Sequence, residues 1–170
     1  LSTGKTAFML SSATNKSFAL NKNSGIVMHQ RASHLDSALF NNVLGLQTNT
    51  LGKDLLIQGK EQLKNLYPQV VQIDNEKVIS IEQIGATYCI KTSKNQYQSF
   101  IVVIALNYAK PFTIDGLEEF IIPHEKSAIE KDRIQLKNEN HVIKKGLYCC
   151  GTIAGFRSQF AIAAGSGASV

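Results

Sequence analysis

The sequence predicts a single α/β domain over residues 1–170, built on a parallel sheet with a β-meander as a crossover. Residues 100–105 are six consecutive apolar residues, and such a run is typical of a strand buried on both faces of a parallel sheet. Between residues 69 and 106, short β-rich runs alternate with turn residues, which predicts the meander. Helical patterns at residues 55–66 and 161–170 supply the α layers.

Composition excludes several classes of protein. The 18 Lys and Arg residues exceed the 13 Asp and Glu residues, but they are scattered, which argues against a nucleic-acid partner. Three cysteines without Cys-x-x-Cys spacing argue against a disulfide framework, a zinc site and a redox dithiol, and favour a reducing, cytoplasmic location. No apolar run approaches the roughly 18 residues that span a bilayer, so no membrane partner is expected.

The elements follow one another in an order typical of α/β domains. A buried strand is predicted at residues 25–29, and a helix at residues 55–66 is closed by Tyr67-Pro68. After the meander and a mixed stretch at residues 110–140, a last strand at residues 146–150 leads into the terminal small-residue helix.

The first residues fit two kinds of phosphate site. Gly4-Lys5-Thr6 could close the phosphate loop of a nucleotide hydrolase, although the first glycine of that motif is absent and the best candidate Mg²⁺ strand ends in Asn107. Alternatively, Gly4 could be the third glycine of a dinucleotide motif, with the next helix facing a pyrophosphate. The second alternative predicts that a strand and its first glycines precede Leu1.

The strongest pattern lies near the carboxyl end. The strand at residues 146–150 runs into Gly151-Thr152, and a helix rich in Ala and Gly follows Arg157-Ser158-Gln159-Phe160. This segment resembles the closing motif of the thioredoxin-reductase-like FAD-dependent oxidoreductases, within the pyridine nucleotide-disulfide oxidoreductase superfamily. Small residues would let the helix approach a cofactor, and its amino-terminal amides would stabilise a reduced flavin. A helix that is merely well packed remains the alternative.

The resemblance covers most of the chain and implies a three-layer Rossmann-like FAD-binding domain. It implies cofactor-binding roles for residues at the pyrophosphate, ribose, adenine and flavin, namely Ser2, Thr3, Gly4, Gln30, Arg31, His34, Asn42, Val78, Ala105, Gly151, Thr152, Arg157, Ser158, Gln159 and Phe160. Two positions depart from the family: Thr152 replaces an acid beside the ribityl chain, and His29-Gln30-Arg31 replaces an acid at the ribose.

The resemblance also implies how electrons would reach the flavin. Family enzymes insert a pyridine-nucleotide domain between the strand that ends here at Ala105 and the strand that ends at Cys150, and residues 106–150 are too few to form one. We therefore expect a small flavin-domain-only oxidoreductase that lacks the NAD(P)-binding domain and uses a redox partner protein, a free reductant or a transiently bound nucleotide. A homodimer is plausible, and a non-catalytic flavin carrier or sensor remains the alternative.

Neither the cysteines nor the histidines suggest a catalytic or metal centre. Cys149 and Cys150 occupy positions where the family has small buried residues, and Cys89 lies in a predicted strand. The histidines show no metal-ligand spacing, which favours surface or hydrogen-bonding roles for His124 and His141. The sequence assigns no catalytic residue and no metal.

Overall fold

The computed structural model describes residues 24–28, 35–108 and 110–170, with the backbone alone for 24–28. We label its elements in chain order. The strands are Ser24–Met28 (β1), Leu39–Phe40 (β2), Thr50–Leu51 (β3), Val70–Asp74 (β4), Val78–Ile84 (β5), Thr87–Thr92 (β6), Gln96–Ser99 (β7), Val102–Ile104 (β8), Ile121–Pro123 (β9), Ile134–Leu136 (β10), Val142–Lys144 (β11) and Leu147–Cys149 (β12). The helices are Gly52–Leu66 (α1) and Phe160–Ala168 (α2), with 3-10 helices at Glu118–Phe120, Ile129–Lys131 and Gly151–Ala154. No helix in this part of the chain is long and apolar enough to cross a membrane.

The described residues form a mixed α/β domain in which parallel pairing joins strands distant in sequence. β1 pairs with β4, and β8 pairs with β12, which also carries β11 as an antiparallel neighbour. The two parallel pairs belong to separate small sheets among the described residues, whereas the sequence predicts one larger parallel sheet. The α/β class is confirmed in this coarser form.

The predicted meander is present. β5, β6 and β7 form an antiparallel sheet, with Gly85 in the left-handed region at the turn between the first two strands. The base of this sheet is held by the buried carboxylate of Glu76, which accepts hydrogen bonds from Thr92 Oγ1, Asn95 Nδ2 and the Tyr97 hydroxyl. The meander is therefore anchored by side-chain hydrogen bonds as well as by its ladder.

The predicted long buried strand at residues 100–105 is wrong in its first half. β8 contains only Val102–Ile104, while Phe100 is 71% and Ile101 59% exposed. The side chain of Ser99 explains the difference, because its Oγ donates to the Ile101 carbonyl at 2.6 Å and accepts from the Ile101 amide at 3.3 Å. This local turn ends β7 and directs the chain toward β12.

The predicted helix at residues 55–66 is confirmed, and it begins three residues earlier, at Gly52. A Cβ at Gly52 would lie 1.9 Å from the Leu35 carbonyl oxygen, so only glycine allows the chain to pass this close. Leu63 packs with Val70 and Tyr67 in a small core of its own. The helix ends at Leu66, as Tyr67-Pro68 predicts.

The main core lies where the meander, β8, β10 and β12 meet. Its fully buried members include Leu136, Leu147, Cys149 and Ile153, against which Tyr88 of the meander packs. Gly146 allows the chain to pack this closely next to Tyr88, because a Cβ at position 146 would lie 2.7 Å from the Phe100 carbonyl oxygen. The core therefore fixes the ends of β8 and β12 side by side.

Candidate functional site

The carboxyl ends of β8 and β12 form the centre of the candidate site. The Cys150 amide donates to the Ile104 carbonyl at 2.9 Å, which extends the parallel pairing to the last residues of both strands. Ala105 and Gly151 follow directly, so the structure brings these two sequence-predicted residues to the same edge. Ligands of α/β proteins bind preferentially at this end of parallel strands.

Gly151 is buried, and none of the described residues fills the space beside its Cα at this edge. Its φ is +73°, in the left-handed region, and a Cβ built on it would meet no atom of the described residues within 4 Å. Its amide donates to Ser166 Oγ at 2.8 Å, which ties the strand end to α2. The backbone at Gly151 is therefore held in place while the space beside its Cα could admit a bound group.

Thr152 faces the interior of the protein. Its side chain is almost fully buried, and Oγ1 donates to the Leu106 carbonyl at 3.3 Å. The hydroxyl thus joins the segment after β12 to the segment after β8. This hydrogen bond of Thr152 helps to hold the ends of β8 and β12 together.

The start of α2 presents polar groups to solvent. Arg157, Ser158 and Gln159 are exposed, and Gln159 is the N-cap residue without a side-chain capping hydrogen bond. The first backbone amides of a helix point out of its amino terminus and carry part of the positive end of the helix dipole. This terminus can therefore stabilise negative charge on a group bound beside it.

Asn42 lies in a loop that the structure places beside the same helix. The ring of Phe40, two residues earlier, meets the ring of Phe160 edge to face with centroids 5.1 Å apart. Asn42 itself is exposed, and Asn41 Oδ1 accepts from the Asn49 amide at 2.7 Å, which closes the loop. The Asn42 loop and the start of α2 are thus brought together.

The other predicted site residues are more distant or lie outside the described residues. Val78 is the first residue of β5, half-buried, and packs against the main core. The predicted residues outside the described part are Ser2, Thr3, Gly4, Gln30, Arg31 and His34. Their roles stay predictions.

Cys149 is unsuited to thiolate chemistry at neutral pH. Cys149 and Cys150 are buried and free. Burial, with a smaller effect of the neighbouring Cys150, raises the pKa of the Cys149 thiol to about 12. A nucleophilic cysteine needs a lowered pKa, so Cys149 acts as a core residue.

Two groups of residues escaped the sequence analysis. Ser166 lies in the helix that the sequence predicts from its small residues, and that pattern does not indicate that its hydroxyl accepts a hydrogen bond from the Gly151 amide. The buried Gln135 and His141 line a cavity next to Gly155, and they come from segments without any motif. Only the folded chain brings them together.

Solved structures with the same fold include thioredoxin-reductase-like proteins. A ferredoxin-flavin thioredoxin reductase from Clostridium acetobutylicum matches 99% of this chain and 91% of its own, at 15% identity and a TM-score of 0.67. Thioredoxin reductases from Lactococcus lactis and T. acidophilum match 69% of this chain at 21% and 18% identity, each with a TM-score of 0.50. The chain spans 37% of the length of these two reductases.

No protein-family model matches the chain, and no curated protein matches it. The structural likeness shows that the chain has the fold of thioredoxin-reductase-like proteins.

Proposed function

We propose that the chain is a flavin-binding oxidoreductase domain of the thioredoxin-reductase type. The observation that carries the proposal is the space beside Gly151 that no described residue fills, at the carboxyl ends of β8 and β12. The fold supports it, because the chain matches almost the whole length of a protein named as a ferredoxin-flavin thioredoxin reductase.

The cofactor we propose is FAD, and the described residues fit its flavin end. Gly151 has room for the ribityl chain beside its Cα, and the exposed Gln159 and Asn42 can hydrogen-bond the ring edges. At the other end, Gly4 with Ser2 and Thr3 would hold the pyrophosphate, and the Val78 backbone would meet the adenine. A bound flavin supplies one- and two-electron transfer, while the amides of α2 favour its reduced, anionic form.

The donor and acceptor we propose are redox proteins or free small molecules. Between Ile104 and Leu147 the chain forms two short 3-10 helices and three three-residue strands, apart from residue 109, which lies outside the described part. These elements cannot form a second dinucleotide-binding unit, which needs a parallel sheet with crossover helices. We further propose a three-layer, flavin-domain-only arrangement, a cytoplasmic location and a homodimer.

The proposal is tested by the visible spectrum of the purified protein. We expect the absorption band of an oxidised flavin, and we expect Gly151→Ala to lose most of the bound flavin because the new Cβ enters the space for the cofactor. Gly85→Ala is the matched control. Gly85 also has a positive φ, +61°, and open space around its Cα, so both variants carry a similar backbone strain of about 1 kcal/mol.

Three outcomes separate the alternatives. A colourless protein that takes up no added FAD contradicts the proposal, and nucleotide hydrolysis by that protein would favour the phosphate-loop alternative. Bound flavin without turnover of any electron acceptor would indicate a carrier or sensor. Equal flavin loss in Gly151→Ala and Gly85→Ala would show that the flavin does not lie at Gly151.

A further inference from the structure

We propose that a polar cavity next to Gly155 binds a small oxyanion that also carries hydroxyl groups, such as a phosphorylated or carboxylated polyol. The cavity has a volume of about 490 Å³, within the range of about 300–1,000 Å³ usual for small-molecule sites. Lys126, Gln135, Lys137, His141 and Phe156 are among its lining residues. This site differs from the candidate flavin site and does not rest on the proposed function.

Two buried polar side chains line the cavity, and each has one hydrogen-bonding atom to spare. Gln135 Oε1 accepts from the Glu125 amide at 3.0 Å, and His141 Nδ1 is 3.0 Å from the Cys149 carbonyl oxygen. No described residue hydrogen-bonds to the Nε2 atom of Gln135 or His141. Within the described part, only His124 Nε2 is both buried from solvent and without a partner. The Nε2 atoms of Gln135 and His141, which also have no partner, are therefore accessible to solvent. A ligand would reach them in the cavity that both residues line.

The surroundings fix both side chains in place. A Cβ at Gly155 would lie 2.7 Å from Gln135 Oε1, so the glycine backbone packs closely against this amide. The His141 ring stacks on Phe156 with an interplanar angle of 7° and centroids 5.0 Å apart. Such rigid polar groups lose little conformational entropy when a ligand binds.

The hydrogen bonds define what the ligand must offer. Because the Cys149 carbonyl can only accept, His141 Nδ1 carries the hydrogen, and Nε2 is the ring nitrogen left for a ligand. A ligand hydroxyl can donate to this atom. Gln135 Nε2, by contrast, donates, and it needs an acceptor oxygen on the ligand.

The charges of the cavity favour an anion. Lys126 and Lys137 contribute two positive charges against the single carboxylate of Glu125, and neither lysine forms a salt bridge within the described residues. Lys126 Nζ lies 5.1 Å from the centroid of the Phe156 ring, on which the His141 ring also stacks. Together with the Gln135 amide, these donors match the oxygens of a phosphate or a carboxylate.

The test is a titration of the full chain labelled with ¹⁵N, followed by NMR, with four probes. We expect glycerol 3-phosphate or glycerate to bind with a dissociation constant of about 1 mM or below and to shift the amide signals near Gln135, His141 and Phe156. The tighter of the two identifies the oxyanion. Glycerol lacks the charge and inorganic phosphate lacks the carbon-bound hydroxyls, so both should bind at least about tenfold more weakly, which corresponds to about 1.4 kcal/mol.

A variant with Lys126→Gln and Lys137→Gln should bind the better probe roughly tenfold more weakly while its spectrum stays that of a folded protein. Lys131→Gln, which removes an exposed lysine outside the cavity, is the control and should bind as the parent does. The proposal is overturned if neither oxyanion gives saturable shifts, or if glycerol or inorganic phosphate binds as tightly. It is also overturned if the double variant keeps full affinity or if Lys131→Gln weakens binding equally.

Discussion

At the scale of single residues, Glu76 shows how a buried charge can hold a local structure. Its carboxylate accepts hydrogen bonds from Thr92 at 2.6 Å, Asn95 at 2.6 Å and Tyr97 at 3.0 Å. These bonds, with that of Thr92 the largest, hold its pKa below the usual 4.5 although burial opposes the shift. The ionised form is thus the one that the fold favours.

We expect Glu76→Gln to lower the melting temperature at pH 7 by about 3–6 °C, because an amide cannot accept all three bonds. A pKa that is lower in the folded state gives stability above the unfolded pKa, and this stability is lost as the pH falls through the folded pKa. The difference between parent and variant should therefore shrink toward pH 3 in thermal unfolding followed by circular dichroism. Glu82→Gln, an exposed glutamate of β5, is the control. A difference that stays constant with pH would refute this account.

Gln159 is the residue at which the proposed flavin site can be tested most directly. It is exposed at the start of α2 and makes no capping hydrogen bond, so its substitution should leave the fold intact. Under the proposed function, Gln159→Ala should weaken flavin binding by about 1 kcal/mol, the net contribution of one hydrogen bond, or shift the flavin spectrum. Unchanged affinity and spectrum would show that the flavin ring lies elsewhere. Fluorescence titration of the apoprotein with FAD measures the affinity.

At the scale of elements, the attachment of α2 to the end of β12 depends on Ser166. The Gly151 amide is buried and donates to Ser166 Oγ, so Ser166→Ala would leave this amide without its partner. We expect a loss of about 1–2 kcal/mol in the free energy of unfolding, measured by urea denaturation. Ser169→Ala, at an exposed serine that donates to Gly165, should change stability by less than about 0.5 kcal/mol. Equal effects of the two substitutions would mean that the bond to Gly151 does not stabilise the junction.

The elements also show where sequence patterns suffice and where they fail. The meander, α1 and α2 were predictable because turn residues and hydrophobic periods act over a few neighbours. β8 was predicted too long, since the apolar run at residues 100–105 does not reveal the turn that Ser99 makes. The inward position of Thr152 depends on Leu106, which is distant in sequence, so no local pattern could predict it. The same holds for the cavity, because Gln135 lies in β10 and His141 is hydrogen-bonded to Cys149 of β12, so only the folded chain brings both residues to it.

At the scale of the whole molecule, the chain covers very different shares of the solved structures that it resembles. The chain matches 91% of the ferredoxin-flavin thioredoxin reductase but 37% of the thioredoxin reductases. Within this chain, the interval between β8 and β12 holds only short elements, which pack on the core through residues such as Ile134 and Leu136. Among its described residues, that interval contains no parallel sheet with crossover helices, which a dinucleotide-binding unit requires.

This difference predicts how the proposed flavin is reduced. A hydride donor must be held with its reactive carbon about 3–3.5 Å from the flavin, and such positioning supplies several kcal/mol of the reduction in barrier. Without a dedicated unit to hold the donor, NADPH or NADH alone should reduce the flavin slowly and without saturation, whereas dithionite, which needs no binding site, should reduce it at once. Anaerobic stopped-flow measurement of the flavin absorption distinguishes the two. Fast, saturable bleaching by either nucleotide at micromolar concentration would mean that the domain binds its own donor and that no separate redox partner is needed.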